Sequence, residues 1–159
     1  MSEKNKAKEI YRIGIVVKDA AAVAEQYFKY FEVDESKKMI VDPSEIEHDP
    51  FLFNGEPVDF EMKLIIFPVG GIEIELIEPL DDRGPYAEFL REEGGGLHHL
   101  NIEVDDNENF MSVADELGAP FIIGGYNPGD PGLGWKYYDT RKDFATIYEI
   151  CQEERFKGV

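Results

Sequence analysis

Residues 95–106 read GGLHHLNIEVDD: glycines, two adjacent histidines, an apolar–polar alternation, then an aspartate pair able to cap a helix. Alternation at period two makes this a strand, with Leu100, Ile102 and Val104 on one face and His99, Asn101 and Glu103 on the other. The same pattern occurs near the N-terminus as RIGIVVKD, residues 12–19. When the two are superposed, Ile13, Ile15 and Val17 match Leu100, Ile102 and Val104, and Arg12 falls on His99. A helical stretch follows each strand. The chain is one motif written twice.

Outward from the quoted strand, the second copy continues with a helix capped by Asp106 and ended by Gly118, its core side being Phe110, Val113, Ala114 and Leu117. Residues 121–123 form a strand, 124–134 a Gly/Pro loop, and 135–139 with 145–151 a closing hairpin. The first copy runs from a strand at 10–17 into a helix capped by Asp19, with Ala22, Val23, Tyr27 and Tyr30 or Phe31 at helical spacing. A short strand is expected at 38–41. The Pro-rich stretch 42–58, which holds His48, reads as a loop that covers a pocket mouth or simply decorates the fold. Strands at 59–67 and 72–77 then meet at Gly70-Gly71. The copies span about 9–80 and 96–152, joined by a short amphipathic helix at 84–93 with Tyr86, Phe89 and Leu90 on its apolar side. The fold class is α+β: tandem βαβββ modules forming a curved mixed sheet around a cleft.

Composition narrows the function classes. The 159 residues suit a single domain with a real core, and 20 aromatic side chains exclude a disordered chain. A net charge of −18 leaves no basic stripe for a phosphate backbone, so a nucleic-acid partner is excluded, while cations are attracted. No apolar run approaches the roughly 20 residues of a membrane span. The first residues lack the apolar core of a signal peptide, and a lone cysteine, Cys151, read as a small packed residue, suits a reducing compartment. A cytoplasmic protein acting on a small molecule is the expectation.

The internal symmetry points to the site. Residues 72–77 superpose on 146–151, which places Glu75 on Glu149. If the mixed faces of both copies curl together, Arg12, Glu75, His99 and Glu149 meet in one cleft, and Glu61 and Lys63 point into it from a neighbouring strand. Charged groups inside a sheet must be paired, hydrated or bound to a metal. His98, on the apolar parity beside Leu100, reads as a core histidine, and Glu73 and Glu103 as solvated strand residues. Trp135, Tyr137, Tyr138, Phe51 and Phe53 are candidate pocket walls.

The segments at 12–19 (RIGIVVKD), 74–80 (IELIEPL), 96–100 (GLHHL) and 148–150 (YEI) resemble the vicinal oxygen chelate superfamily of glyoxalases, bleomycin-resistance proteins and dioxygenases. The methylmalonyl-CoA epimerase branch is nearest. The resemblance covers about 10–41 and 59–152. It implies a divalent metal (Mn, Co, Ni or Zn) on Glu75, His99 and Glu149, with Arg12 where the family carries a further histidine ligand. Arginine keeps its proton and has no lone pair to donate, so Arg12 is no ligand. Two arrangements stay open. Either a metal is held by the other three residues with water or substrate completing the shell, or the Arg12 guanidinium bridges Glu75 and Glu149 in its place. The resemblance also implies acid/base groups flanking an acidic carbon, with Glu61, Lys63, Glu149 and Arg12 as candidates. The implied activities are epimerase- or lyase-type proton transfer on a small carbonyl acid or acyl-CoA thioester. A metal-free, non-catalytic binding protein, or a pseudoenzyme acting through its dimer surface, is the alternative, and a homodimer is the expected assembly.

Overall fold

A computed structural model of the chain describes residues 3–42, 51–53, 56–127 and 130–151; His48 and the Cys151 side chain lie outside the described positions. The elements run β1 (Ala7–Val16), α1 (Ala20–Tyr30), a 3-10 turn at Glu35–Lys37, β2 (Met39–Val41), β3 (Phe51–Phe53), β4 (Glu56–Val58), β5 (Met62–Val69) and β6 (Ile72–Pro79). They continue with α2 (Gly84–Glu93), β7 (Gly96–Val104), α3 (Asn107–Glu116), β8 (Phe121–Asn127), β9 (Asp130–Tyr138), α4 (Arg141–Phe144) and β10 (Ile147–Cys151). Local chemistry sets the helix limits. Asp19 and Asp106 accept the backbone N–H of Ala22 and Asn109 at the starts of α1 and α3, and Gly94 ends α2 in the left-handed conformation.

All ten strands form one mixed sheet in the order β2-β5-β6-β1-β7-β10-β9-β8-β3-β4. Its centre is symmetric. β1 lies parallel to β6 with Arg12 opposite Glu73 and Gly14 opposite Glu75; β7 lies parallel to β10 with His99 opposite Ile147 and Asn101 opposite Glu149. The two pairs meet along the antiparallel β1–β7 seam, where Arg12 faces Asn101 and Gly14 faces His99. Arg12 and His99 thus hold equivalent positions, as do Glu75 and Glu149.

The curved sheet has one face under helices and one turned inward. On the helical face Ala20, Ala24, Tyr27 and Phe28 pack on Ile65, Phe67, Ile74 and Leu76, with the Tyr27 and Phe28 rings 5.2 and 5.1 Å from Phe67. Around α3, Ala114 and Phe110 pack on Tyr138 and Ile150. The phase of α1 differs from the spacing read in the sequence: Tyr30 and Phe31 are exposed, because the side presented to the sheet runs through Ala20 and Ala24. Leu117 is likewise exposed.

The inward face collects Val16, Met62, Ile77, Ile123, Trp135, Tyr137 and Ile147, together with Tyr86 from α2 and Phe60 and Phe51. Phe51 belongs to the stretch expected as a loop. That expectation is corrected: β3 and β4 pair with each other, and β3 joins the outer edge of β8 through Leu52–Gly124 and Phe53–Ile123. A strap from the first module therefore closes over the second, and Phe51 seats against Phe60 and Trp135 with ring centroids 4.7 and 5.8 Å away. Residues 124–134, also expected as a loop, are for the most part the arms of the β8–β9 hairpin. Among the described residues no helix is long and apolar enough to cross a membrane.

Candidate metal centre

Glycine, not a ligand, opens the space for the site. Gly14 sits opposite both Glu75 and His99, and a Cβ there would lie 2.6 Å from His99 Nε2 and closer still to Cε1 and Nδ1. The imidazole fills the space that the missing side chain leaves. His99 is fully buried, and its Nε2 lies 3.0 Å from Glu149 Oε2 and 3.4 Å from Glu75 Oε2, both carboxylates being buried as well. One donor atom from each of the three lies within 4.8 Å of the others.

Arg12 has another task. Its guanidinium is 3.1 Å from Glu73 Oε2 and 3.9 Å from Glu75 Oε1, the oxygen of Glu75 that does not face His99. The bridge from Glu75 to Glu149 is therefore corrected to a bridge from Glu73 to Glu75, and Glu73 is a buried ion-pair partner instead of a solvated residue. Burial alone would lower the Arg12 pKa, but the carboxylates of Glu75, Glu73 and Glu149 raise it, so the guanidinium is a permanent cation.

The outer groups fix the imidazole. At the seam Gly14 pairs with His99 but Ile15 with Leu97, which leaves His98 as the extra residue of a bulge. His98 is buried, as expected of a core histidine, yet the bulge brings its Nδ1 within 3.0 Å of His99 Nδ1. Burial, with the nearby His99 and Arg141 charges, pushes its pKa down to about 3, so at neutral pH His98 is uncharged and can accept the Nδ1 proton of His99. His99 Nε2 then faces the two carboxylates. Tyr137 Oη lies 3.4 Å from that nitrogen and accepts a hydrogen bond from Tyr86 at 2.8 Å, leaving its own proton free to donate.

Of the residues expected in the cleft, Arg12, Glu75, His99 and Glu149 come together, whereas Glu61 and Lys63 do not. Lys63 pairs with Glu78, whose carboxylate accepts the Ala20 N–H of α1, so Lys63 shares the helical face. Glu61 is exposed ahead of β5 and its carbonyl accepts the Leu80 N–H. Of the expected pocket walls, Phe51, Trp135 and Tyr137 lie in the inward cluster with Phe53 against it, while Tyr138 packs toward α3. Glu73 was expected to be solvated, Tyr86 to serve only as the apolar side of its helix and Asn101 only as a strand residue, and the His98 contact was not foreseen. Only the alternation that puts Glu73 and Asn101 on the cleft parity hinted at them.

A divalent ion fits this set. Ligands about 2.1 Å from an ion at right angles lie about 3 Å apart, close to the distances from His99 Nε2 to the two carboxylates. Glu75 Oε2 is buried, and its contact with His99 Nε2 is a long one at 3.4 Å. Imidazole with two carboxylates suits Mn, Co, Ni or Zn. Without an ion His99 is an imidazolium: burial would lower its pKa, but hydrogen bonds and charge from Glu149 and Glu75 push it up to about 9. Raised above its ordinary 6.5, the group adds stability that is complete below pH 6.5 and disappears as pH rises through 9. Chelator-treated protein is expected to lose melting temperature between pH 6.5 and 9, and added Mn2+ or Co2+ to restore it. A melting curve flat across that interval would count against the imidazolium.

Comparison with known proteins bears on the family and the fold. The profile of the Glyoxalase/Bleomycin resistance protein/Dioxygenase superfamily matches residues 11–138. The uncharacterized protein YqjC of Bacillus subtilis is 24% identical over 102 residues, 64% of this chain and 73% of that protein. The ethylmalonyl-CoA/methylmalonyl-CoA epimerase of Cereibacter sphaeroides is 31% identical over 77 residues, 48% of this chain, which spans only 54% of that relative. The crystal structure of methylmalonyl-CoA epimerase from Mycobacterium tuberculosis superposes with a TM-score of 0.62 at 17% identity, covering 98% of this chain and 94% of the other.

Proposed function

Because this chain belongs to the Glyoxalase/Bleomycin resistance protein/Dioxygenase superfamily, we propose that its buried cluster performs enolate-forming proton transfer on a small carbonyl acid or its acyl-CoA thioester, as an epimerase does. The observation that carries the reading is the convergence of Glu75, His99 and Glu149 around one point. A divalent ion bound there would act as a Lewis acid on the carbonyl oxygen and acidify the neighbouring carbon. Glu149, with one oxygen toward the centre, keeps its second to take the α-proton. Arg12, clamped by Glu73 and Glu75, lends positive charge where the enolate oxygen develops. Tyr137, supplied with a proton by Tyr86, can donate to the same oxygen. The aromatic lining under the strap excludes water, which strengthens each of these interactions.

The test is deuterium incorporation from D2O at the α-carbon of methylmalonyl-CoA. Exchange that needs added metal and falls about 100-fold or more in Glu149→Gln is expected, within the range general-base catalysis supplies. Tight acyl-CoA binding with no exchange would leave the alternative of a non-catalytic binding protein, for which Phe51, Phe60 and Trp135 offer the apolar surface. A cytoplasmic setting and a homodimer accompany the proposal, supported by the lone cysteine and by the habit of the superfamily.

A further inference from the structure

Asn101 is the least explained residue of the centre. It is fully buried, and neither Oδ1 nor Nδ2 has a hydrogen-bond partner. Buried amides are nearly always satisfied, because leaving one without partners forfeits its hydration. Its cross-strand neighbours are Arg12 on β1 and Glu149 on β10, and it stands two residues beyond His99 on the same face of β7. The other buried side-chain atoms without a well-formed hydrogen bond among the described residues are Arg12 Nε and Glu75 Oε2, the latter with only its long His99 contact, so every one belongs to this centre.

Charge says what kind of group is wanted. The Arg12 guanidinium opposes the carboxylates of Glu73, Glu75 and Glu149, and a divalent ion with a neutral His99 closes the balance. A further anionic ligand would leave the buried centre negative. A neutral oxygen donor would not, and an amide oxygen is a hard ligand of the kind Mn and its neighbours accept. Since neither amide atom is engaged, Asn101 can present its oxygen without breaking any hydrogen bond.

We propose that Asn101 Oδ1 is the fourth protein ligand of the centre, replacing on β7 the donor that Arg12 cannot supply from β1. The inference rests on the metal reading above and deepens it. Arg12 and Asn101 are paired across the seam, so the amide stands directly beside the cation that cannot itself coordinate an ion.

Full-length protein stripped with chelator and titrated with Co2+ tests this, with affinity and visible ligand-field absorption as readouts. Asn101→Leu removes the oxygen and keeps the volume. It is expected to weaken Co2+ binding by about 10- to 100-fold and to shift or intensify the absorption bands, while raising the metal-free melting temperature by removing an unsatisfied amide. Asn101→Asp keeps an oxygen in place but adds a negative charge, and is expected to go on binding Co2+ with its bands shifted; loss of Co2+ binding there would overturn the proposal. Unchanged Co2+ affinity and spectrum in Asn101→Leu would overturn the assignment and leave the three-residue centre standing. Should Asn101→Leu fail to fold, the smaller Asn101→Ala decides: unchanged Co2+ affinity and spectrum there overturn the proposal. Wild-type protein that takes up no Co2+ overturns both.

Discussion

Gly14→Ala is expected to destroy the centre and to destabilise the fold with it. The new methyl group would overlap the His99 ring, which has no exposed surface and is enclosed by Glu75, Glu149, Tyr137 and His98. Gly14 has an ordinary φ, so the backbone accepts alanine and the whole penalty falls on the contact. Overpacking a core in this way costs about 1–3 kcal/mol or more, or several degrees of melting temperature for a domain this size. Displacing Nε2 also separates it from both carboxylates. Differential scanning calorimetry with and without Co2+ reads both effects: a lower transition, and loss of the metal-dependent shift. A variant that melts as the wild type does and still binds the ion would show that His99 does not lie over Gly14.

Arg12→Leu is expected to be the most damaging single change on the inward face. It leaves Glu73 and Glu75, two residues apart on the same face of β6, buried with no guanidinium between them. Removing one member of a buried pair costs about 3–5 kcal/mol, since the remaining charge is not rehydrated. The deficit has a pH signature. Burial raises the Glu75 pKa, but the His99 hydrogen bond and the Arg12 and His99 charges outweigh it and hold the pKa below 4.5. A depressed carboxylate stabilises the native state above its unfolded value and loses that contribution as pH falls through the folded one. The variant is therefore furthest below wild type at neutral pH and recovers part of the gap below about pH 4.5. Urea titrations at pH 7 and pH 4 measure it; equal stability at both would mean that the ion pair contributes nothing.

Much of this architecture was legible because β1, β6, β7 and β10 share one pattern of apolar residues at every second position, and aligning the patterns placed Arg12 on His99 and Glu75 on Glu149. What alternation cannot report is which neighbour a residue meets. Glu73 shares its parity with Glu75, but its partnership with Arg12 depends on the parallel β1–β6 register. Asn101 looks like any polar residue on an exposed strand until β1 and β10 cover both its sides. Lys63 was misplaced because β5 is buried on both faces, with Leu64 and Ile66 as apolar as Ile65 and Phe67, so the pattern names no inward side. A one-residue bulge turned His98 toward its neighbour, and nothing in the order of residues announces a bulge. The strands at 51–53 and 56–58 are too short to show a period at all.

Since that strap occupies the outer side of β8, the sheet ends instead at Met39–Val41 and at Glu56–Val58. Both termini are three residues long, and Pro57 withholds one backbone donor from the second. Neither offers a run of free amides on which another polypeptide could extend the ladder. Among the described residues, neither end of the sheet is therefore the expected route by which two copies of this molecule would join.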